Sequence, residues 1–461
     1  MMETAKANPL GRDKVGSLLL KFAIPSIISM LVGSLYNIVD QIFIGQGVGM
    51  LGNAATNVAF PLTTITTAIA LLLGVGGAAN FNLSLGAGEK DKAGHFIGNA
   101  VSMLIILGVF LCVIVRIFLK PLMLVFGATP DILEYSLTYT GITSFGFPFL
   151  IFSNGASHLI RADGSPKYSM ACMLSGAVLN TILDWLFVLV FQWGIAGAAW
   201  ATVIGQVVSA LMAAWYLLHY RSVTLTVREF RPRWIYIGRT MALGAANCFN
   251  QLAMMVVQVV MNNTLKYYGA VSSYGSEIPL ACAGIIAKVG MIFFSFVIGL
   301  SQGLQPIVSF NYGAKQYRRV RETYFRAEFV ATLISIVGFL CFQLFPHQII
   351  SIFGTGSDEY FRFAQRYFRI YMFCTFLNGI QPITSNFFTS IGKAGRGIFL
   401  SLTRQIICLL PLIVIFPMLW GIDGVMYAGP VADSVAAILS VIFIVVEMRK
   451  LKKMEAAGKP C

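Results

Sequence analysis

Charge is what this chain has least of. Only 11% of its 461 residues are charged, and just 19 are Asp or Glu. A soluble domain has about a quarter of its residues charged. So few charges cannot clothe a water-soluble protein of this length, which excludes an ordinary soluble enzyme or binding domain. Histidine is scarce too: His95, His158, His219 and His347 stand far apart, toward the ends of apolar runs. A membrane enzyme that needs clustered acid–base groups has little to draw on. The cysteines occur singly, with no CxxC pair and no metal-ligand spacing, and read as small buried hydrophobes. No GxxxxGK[ST] loop is present, so there is no motif for ATP. Alternating polar and apolar strands are missing, which argues against an outer-membrane barrel. Gly299-Leu300-Ser301-Gln302-Gly303 matches GxSxG but sits inside an apolar run. It lacks the strand–turn–helix setting of an esterase nucleophile, so its small residues read as helix-packing positions.

What the chain has is apolar length. Hydrophobic residues make up 57% of it and the mean hydropathy is +0.77. A spanning helix needs about 20 such residues. Twelve runs qualify, near 22–44, 56–82, 96–119, 134–157, 169–191, 195–218, 240–264, 280–306, 325–346, 366–389, 398–419 and 424–447. The first is too long for a signal-peptide core and no small-residue cleavage site follows it, so it reads as a retained span.

The layout occurs twice. Trp193-Gly194-Ile195 and Trp420-Gly421-Ile422 each precede an apolar run. Leu83-Ser84-Leu85 leads through Gly88 to Lys90 as Val308-Ser309-Phe310 leads through Gly313 to Lys315, and Phe126-Gly127 answers Phe353-Gly354. The offsets hold at about 225–227 residues across three separated places, as an internal duplication requires. Six spans per copy, an even number, make the copies parallel repeats about an axis along the membrane normal. The predicted fold is therefore an all-α membrane protein of twelve transmembrane helices in two six-helix lobes. The expected division is 1–220 for the N-lobe, 221–239 for a linker loop and 240–461 for the C-lobe.

Basic residues set the orientation. Of the 33 Lys and Arg, about 25 fall on the side of the termini and about 6 on the other, with Lys288 and Arg404 inside spans. The positive-inside rule then places both termini and the 221–239 loop in the cytoplasm of a plasma or inner membrane. The net charge of +14 is thereby explained without nucleic acid, and anionic lipid headgroups are the expected partners of these short loops.

Acids inside spans need a reason, because a carboxylate at the bilayer centre costs about 2.5–3.5 kcal/mol. Asp40 stands a few residues before the outer end of the first span, and Asp184 lies inside the fifth. Asn180 precedes Asp184 by one helical turn and shares its face. Thr202 lies about seven residues into the sixth span. At 1.5 Å per residue all four reach a depth of roughly 6–11 Å below the outer boundary. Two carboxylates, an amide oxygen and a hydroxyl at one depth form a candidate site for a proton or Na⁺, since hard cations favour oxygen ligands and paired carboxyls favour a shared proton. Tyr36, one turn before Asp40, is a further candidate. In the second half Met254, Met255, Gln251, Gln258, Lys288 and Asp433 are candidate lining residues of a substrate cavity, because Met-rich surfaces accept varied ligands. Core packing or a helix-capping role for Asp433 competes with this reading, as snorkelling does for Lys288 and Arg404. Pro25, fifteen residues before Asp40, is a candidate bending point.

Several stretches together carry a family resemblance. They are Ile24-Pro25-Ser26, Tyr36-Asn37-Ile38-Val39-Asp40 with Phe43-Ile44-Gly45, and Arg161-Ala162-Asp163-Gly164. Leu179-Asn180-Thr181-Ile182-Leu183-Asp184, Gly194-Ile195-Ala196-Gly197-Ala198-Ala199, Asn263-Thr264-Leu265 with Tyr268-Gly269, and Asn311-Tyr312-Gly313-Ala314 follow in order. Over nearly its whole length the chain resembles the multidrug and toxic compound extrusion (MATE) exporters, in their DinF- or MepA-like branch. The resemblance implies two lobes around a V-shaped cavity. It also implies export of organic cations or amphipathic compounds against inward H⁺ or Na⁺, with no cofactor. Relatives with a first-lobe cation site use an Asp on helix one, an Asn and Asp on helix five and a Thr on helix six, which match Asp40, Asn180, Asp184 and Thr202. Another branch uses acids on helices seven and ten, where this chain offers Asn250, Gln251, Gln258, Asn378 and Asn386 instead. A lipid-linked oligosaccharide flippase of the same superfamily is the alternative within transport. It would want more cavity arginine than this chain supplies. A channel would show a repeated selectivity loop, and none occurs.

Overall fold

The computed structural model describes residues 8–275, 277–353 and 357–457. Lys6, Lys459 and Gly354 of the repeat pair lie outside the described residues. Within them twelve segments run the length of a bilayer, ten as continuous apolar helices. These are α1 (Val15–Gly47), α2 (Met50–Gly86), α3 (Lys90–Ile117), α5 (Pro166–Asp184, continued by Trp185–Val190), α6 (Gly194–Leu218), α7 (Trp234–Val271), α8 (Glu277–Gly313), α9 (Tyr317–Leu344), α11 (Ala394–Leu402 through Thr403–Leu409 to Leu410–Trp420) and α12 (Ile422–Ala457).

The other two are broken. α4 runs Pro130–Thr143 and Phe147–Ala162 around a 3₁₀ turn at Ser144–Gly146, and α10 runs Asp358–Tyr371 and Ile380–Ser390 around one at Thr375–Leu377. The sequence reads each as a single run. Each break comes just before a proline, Pro148 or Pro382, which has no N–H for the preceding turn and disfavours a helical residue before it. Two π-helical stretches also occur at answering places, Trp185–Val190 in α5 and Thr403–Leu409 in α11. Such widened turns gather at functional positions.

The duplication is visible in the backbone. Gly194 and Gly421 turn the chain with φ of +61° and +58°, and Gly164 and Gly392 with +84° and +80°. An L side chain is strained there, which is why glycine recurs at these corners.

One hydrophobic core joins the halves, and it lies at the end that carries the termini. It contains Leu18, Phe22, Leu73 and Phe81 from the first half with Leu300, Ile307, Phe310 and Tyr324 from the second. The remaining cores each belong to one half: Val58, Val115, Met123 and Phe147 in the first, Val257, Val289, Tyr367 and Val425 in the second. Apolar burial alone cannot hold helices together in lipid, so close packing must. The shared seam is built for it. A Cβ on Gly244 of α7 would stand 1.8 Å from the Leu72 carbonyl oxygen of α2, and one on Gly76 1.9 Å from the Thr240 oxygen. Gly86 faces Phe310 O, Gly313 faces Leu83 O, and Gly299 and Gly303 of α8 abut Ile27 and Ala23 of α1. Backbone meets backbone at each of these glycines.

Hydrogen bonds cross the same seam. Asn80 donates to Arg239 O (3.1 Å), Gln305 to Val75 O (2.9 Å) and Asn311 to Leu10 O (2.9 Å). Arg161, only 3% exposed, donates to Gln302 Oε1 at 2.9 Å. Ser34 and Ser295 share a bond of 2.8 Å. Among the described residues no hydrogen bond between the halves lies further from the termini than that one. Beyond it Asn37, Met254 and Gln258 are exposed.

The segment between the halves is fastened to the first. Asp163 accepts from the Arg221 and Ser222 N–H groups at 2.9 Å each and from the Tyr216 hydroxyl at 2.8 Å. Asn99 of α3 donates to Glu229 O and accepts from the Arg233 N–H at 2.6 Å. The Glu229 side chain closes its own turn on Thr226, whose hydroxyl and N–H hold that carboxyl below its usual value. Asp163 and Gly164 of the Arg161–Gly164 motif thus have local work: one anchors the connecting segment, the other makes the corner.

Candidate functional site

The residues predicted from depth do meet. Asp40 of α1 and Asp184 of α5 stand close enough for their carboxyl groups to interact. Asp184 is fully buried and Asn180 is 3% exposed. The Asn180 amide, oriented to satisfy both ends, donates to Asp184 Oδ2 at 3.2 Å and accepts the Thr202 N–H at 3.1 Å. The Thr202 hydroxyl donates to Ala198 O at 3.0 Å. Tyr36 lies close to both carboxyls. One oxygen on each Asp, Oδ1 in both cases, is buried without a hydrogen-bond partner.

The local sequence explains this placement. Asp184 is the last α-helical residue of α5, where the helix widens into its π stretch. Gly176 and Gly205 let α5 and α6 approach to backbone contact, since a Cβ on either would sit 2.7 Å from the other's carbonyl oxygen. That approach carries Asn180 to Thr202.

Beside the pair lies a cavity of about 70 Å³, lined by Asn37, Asp40, Gln41, Tyr139, Thr202 and Gln206 among others. It is large enough for a few water molecules, which need only about 10–15 Å³ of such space each. The sequence reading missed most of its walls, among them Thr56 and Thr63 of α2 and three polar residues of α4 and α6. Tyr139 comes from the broken helix α4 and stands near Asp40, Asp184 and Thr202. Thr143 follows one turn later, and Gln206 follows Thr202 by one turn. Gln206 Oε1 is buried with no partner. The available signal was the i, i+4 spacing of neutral polar residues in apolar runs.

The second-half candidates do not gather into such a pocket. Met254 is 42% exposed, Gln258 is exposed and bonds Asn262 at 3.0 Å, and Gln251, Met255 and Lys288 are half-buried. Asp433 requires a correction. It is 3% exposed and accepts from Arg404 Nε at 2.5 Å, so it neither opens on a cavity nor caps a helix. Arg404 does not snorkel to a surface: its guanidinium is held within the bundle, 5.6 Å from the Phe294 ring centre. The pairing has a physical cause, because either charge alone would be costly in this interior. Glu328 of α9 is an acid the sequence reading passed over. Both its carboxyl oxygens are buried, with Tyr324 and Thr332 one turn away on either side. Among the described residues no three His, Cys, Asp or Glu side chains are placed to hold a metal ion.

Two helical bundles that share a core at one end, with an acidic pocket in the first toward the other end, define a class: polytopic membrane carriers of two-lobe build. The chain belongs to the MatE family, whose model matches residues 25–186 and 243–415. It is 24% identical over 446 residues to the multidrug export protein MepA of Staphylococcus haemolyticus, covering 95% of each chain. It is 23% identical over 436 residues to the MepA of Staphylococcus aureus, covering 94% of each. Among solved structures, a MATE crystallised in complex with MaD3S superposes with a TM-score of 0.89 at 24% identity, over 96% of this chain and 98% of that one. A multidrug resistance MATE transporter of the MOP superfamily in an outward-facing conformation gives 0.86 at 24%, over 98% of both.

Proposed function

We propose that this chain is a secondary multidrug exporter that antiports organic cations or amphipathic compounds against protons by alternating access. The observation that carries this reading is the nearness of the Asp40 and Asp184 carboxyls, with one unpartnered buried oxygen each, beside a cavity that can hold water. Two unit charges 4 Å apart repel by about 4 kcal/mol at an effective dielectric of 20. One shared proton removes that repulsion. An organic cation is too large for this cavity, but held in the space beside it, its charge lowers the proton affinity of the pair, so proton and substrate oppose one another. Sodium is the weaker reading. The Asn180 amide turns its N–H toward Asp184, its oxygen is engaged by the Thr202 N–H, and the Thr202 hydroxyl is bonded to Ala198 O. The unpartnered oxygens left to a cation are Asp40 Oδ1, Asp184 Oδ1 and Gln206 Oε1, fewer than the roughly six that hard cations favour.

The lobes are assigned to 1–220 and 240–461, with the 221–239 segment as a cytoplasmic linker. With both termini in the cytoplasm, the seam is the closed inner gate and the pocket faces outward. Protonation of the pair changes the packing of α1, whose proline Pro25 lies between its seam contacts at Ala23 and Ile27. Pro25 withholds one backbone bond from the helix, which makes it the place where α1 can bend as the pair gains or loses its proton. When the exported compound is neutral, one proton moving inward through 100 mV supplies about 2.3 kcal/mol, enough for a gradient of about 40-fold; one-for-one exchange with a monovalent cation moves no net charge and draws on the pH gradient alone.

The test is proton release. Adding an organic cation dye to the purified protein in weakly buffered detergent should acidify the solution as the dye binds. Release that is unchanged in Asp40→Asn, or dye binding that displaces no proton but is relieved by sodium, would overturn proton competition at this pair.

A further inference from the structure

A second cavity lies far from the acidic pair, where the N-terminal segment meets α9. It measures about 390 Å³ and is lined by Arg12, Lys14, Gly16, Arg319, Glu322 and Arg326. Four cations therefore converge on one space. Among the described residues the carboxylates paired with them are Glu322, 2.9 Å from Arg326, and Asp13, 3.6 Å from Arg12. Arg319 is not a loose surface side chain. Its guanidinium is pinned by Asn311 Oδ1 at 2.9 Å, Leu10 O at 3.0 Å and Asp13 O at 2.7 Å. Arg326 reaches the first turn of α1, where its Nη1 stands 2.7 Å from the place a Gly16 Cβ would take. The cluster is assembled from both halves of the chain, and its four cations outnumber the two carboxylates beside them.

What lies next to the cavity says which anion fits. Val15 precedes the first apolar run by about seven residues, or roughly 10 Å along the helix. That is the depth of lipid phosphates just outside the hydrocarbon. On the membrane side of the cavity the neighbouring helices present exposed apolar side chains, Leu20 (60%) and Ile24 (51%) on α1 and Phe325 (53%) and Phe329 (71%) on α9. A basic cavity at phosphate depth above an apolar face suits a molecule with an anionic head and an acyl tail.

We propose that this cavity binds the phosphate of an anionic membrane phospholipid, which bridges the two halves of the chain at their closed end. The lipid contacts Arg12 and Lys14 on one half and Arg319 and Arg326 on the other. It therefore binds only while the seam is shut, and it favours that state. The site stands independently of which ion drives transport.

The experiment follows thermal unfolding of the full chain in detergent, with added phosphatidylglycerol, phosphatidylcholine or inorganic phosphate. Phosphatidylglycerol should raise the unfolding temperature of the wild type, and the other two should not. Each cation near an anionic surface contributes about 1 kcal/mol, so Lys14→Gln with Arg326→Gln should weaken the apparent lipid affinity about 30-fold. Both replaced side chains are exposed, so the variant should fold as the wild type does. Lys450→Gln with Lys453→Gln removes the same charge from the same side elsewhere and should leave the response intact. An equal loss in both double variants would reduce the effect to general surface charge and overturn the site. So would a full response to inorganic phosphate, which would make the ligand a soluble anion, or an undiminished lipid response in the Lys14, Arg326 variant.

Discussion

The seam glycines allow a sharp test of which state is closed where. Gly244→Ala would place a methyl group 1.8 Å from the Leu72 carbonyl oxygen, and Gly76→Ala one 1.9 Å from Thr240 O. The obstructing atoms are backbone in two long helices, so no side chain can rotate away. Overpacking of a close-packed contact costs about 1–3 kcal/mol. Alanine also favours each helix by about 1 kcal/mol over glycine, but that gain is present whether the seam is open or shut and cancels. The net cost falls on the shut state alone, and 1–3 kcal/mol shifts its population roughly 5- to 140-fold. Spin labels on the terminal ends of α2 and α8 should report longer distances in either variant. Gly238→Ala, on the same helix as Gly244 but with nothing within 4 Å of its Cβ, is the control and should leave the distances alone. Unchanged distances in both seam variants, or an equal change in the control, would refute the assignment of this seam as the closed gate.

Other consequences can be checked more briefly. Removing one partner of the buried Arg404–Asp433 pair should destabilise the protein by about 3–5 kcal/mol, whereas Arg404→Met with Asp433→Leu should recover most of that loss; thermal unfolding of the single and double variants decides it. Asp163→Ala removes acceptors for two backbone N–H groups and a hydroxyl, so the 221–239 segment should become cleavable by added protease, at a cost of about 1.5–3 kcal/mol per bond lost to the charged group. A cysteine placed in that segment should resist impermeant thiol reagents applied outside intact cells; labelling there would reverse the proposed topology.

The acidic site was legible because charge is so rare in the spans that each carboxylate stands out, and helix rise converts position into depth. Asp40, Asn180, Asp184 and Thr202 could be matched on those grounds alone. Tyr139 and Gln206 could not, because neutral polar residues are common in apolar helices and their facing depends on packing. Arg404 and Asp433 were each read singly. They stand 29 residues apart on neighbouring helices, and nothing in either run announces its partner. The twelve runs were right in number, but α4 and α10 break where a proline denies the helix a bond, which hydropathy does not register. Gly299 and Gly303 were recognised as packing positions. That their partners are Ile27 and Ala23 of the other half required the structure, since a small-residue spacing gives one side of a contact only.

The carboxyl pair is the proposed coupling site. Dye efflux from proteoliposomes under separately imposed pH and sodium gradients tests this directly. The wild type should drive efflux with the proton gradient and hardly at all with sodium, and Asp40→Asn and Asp184→Asn should each abolish it while remaining folded in the membrane. Gradient-driven efflux that persists in both variants would contradict the claim.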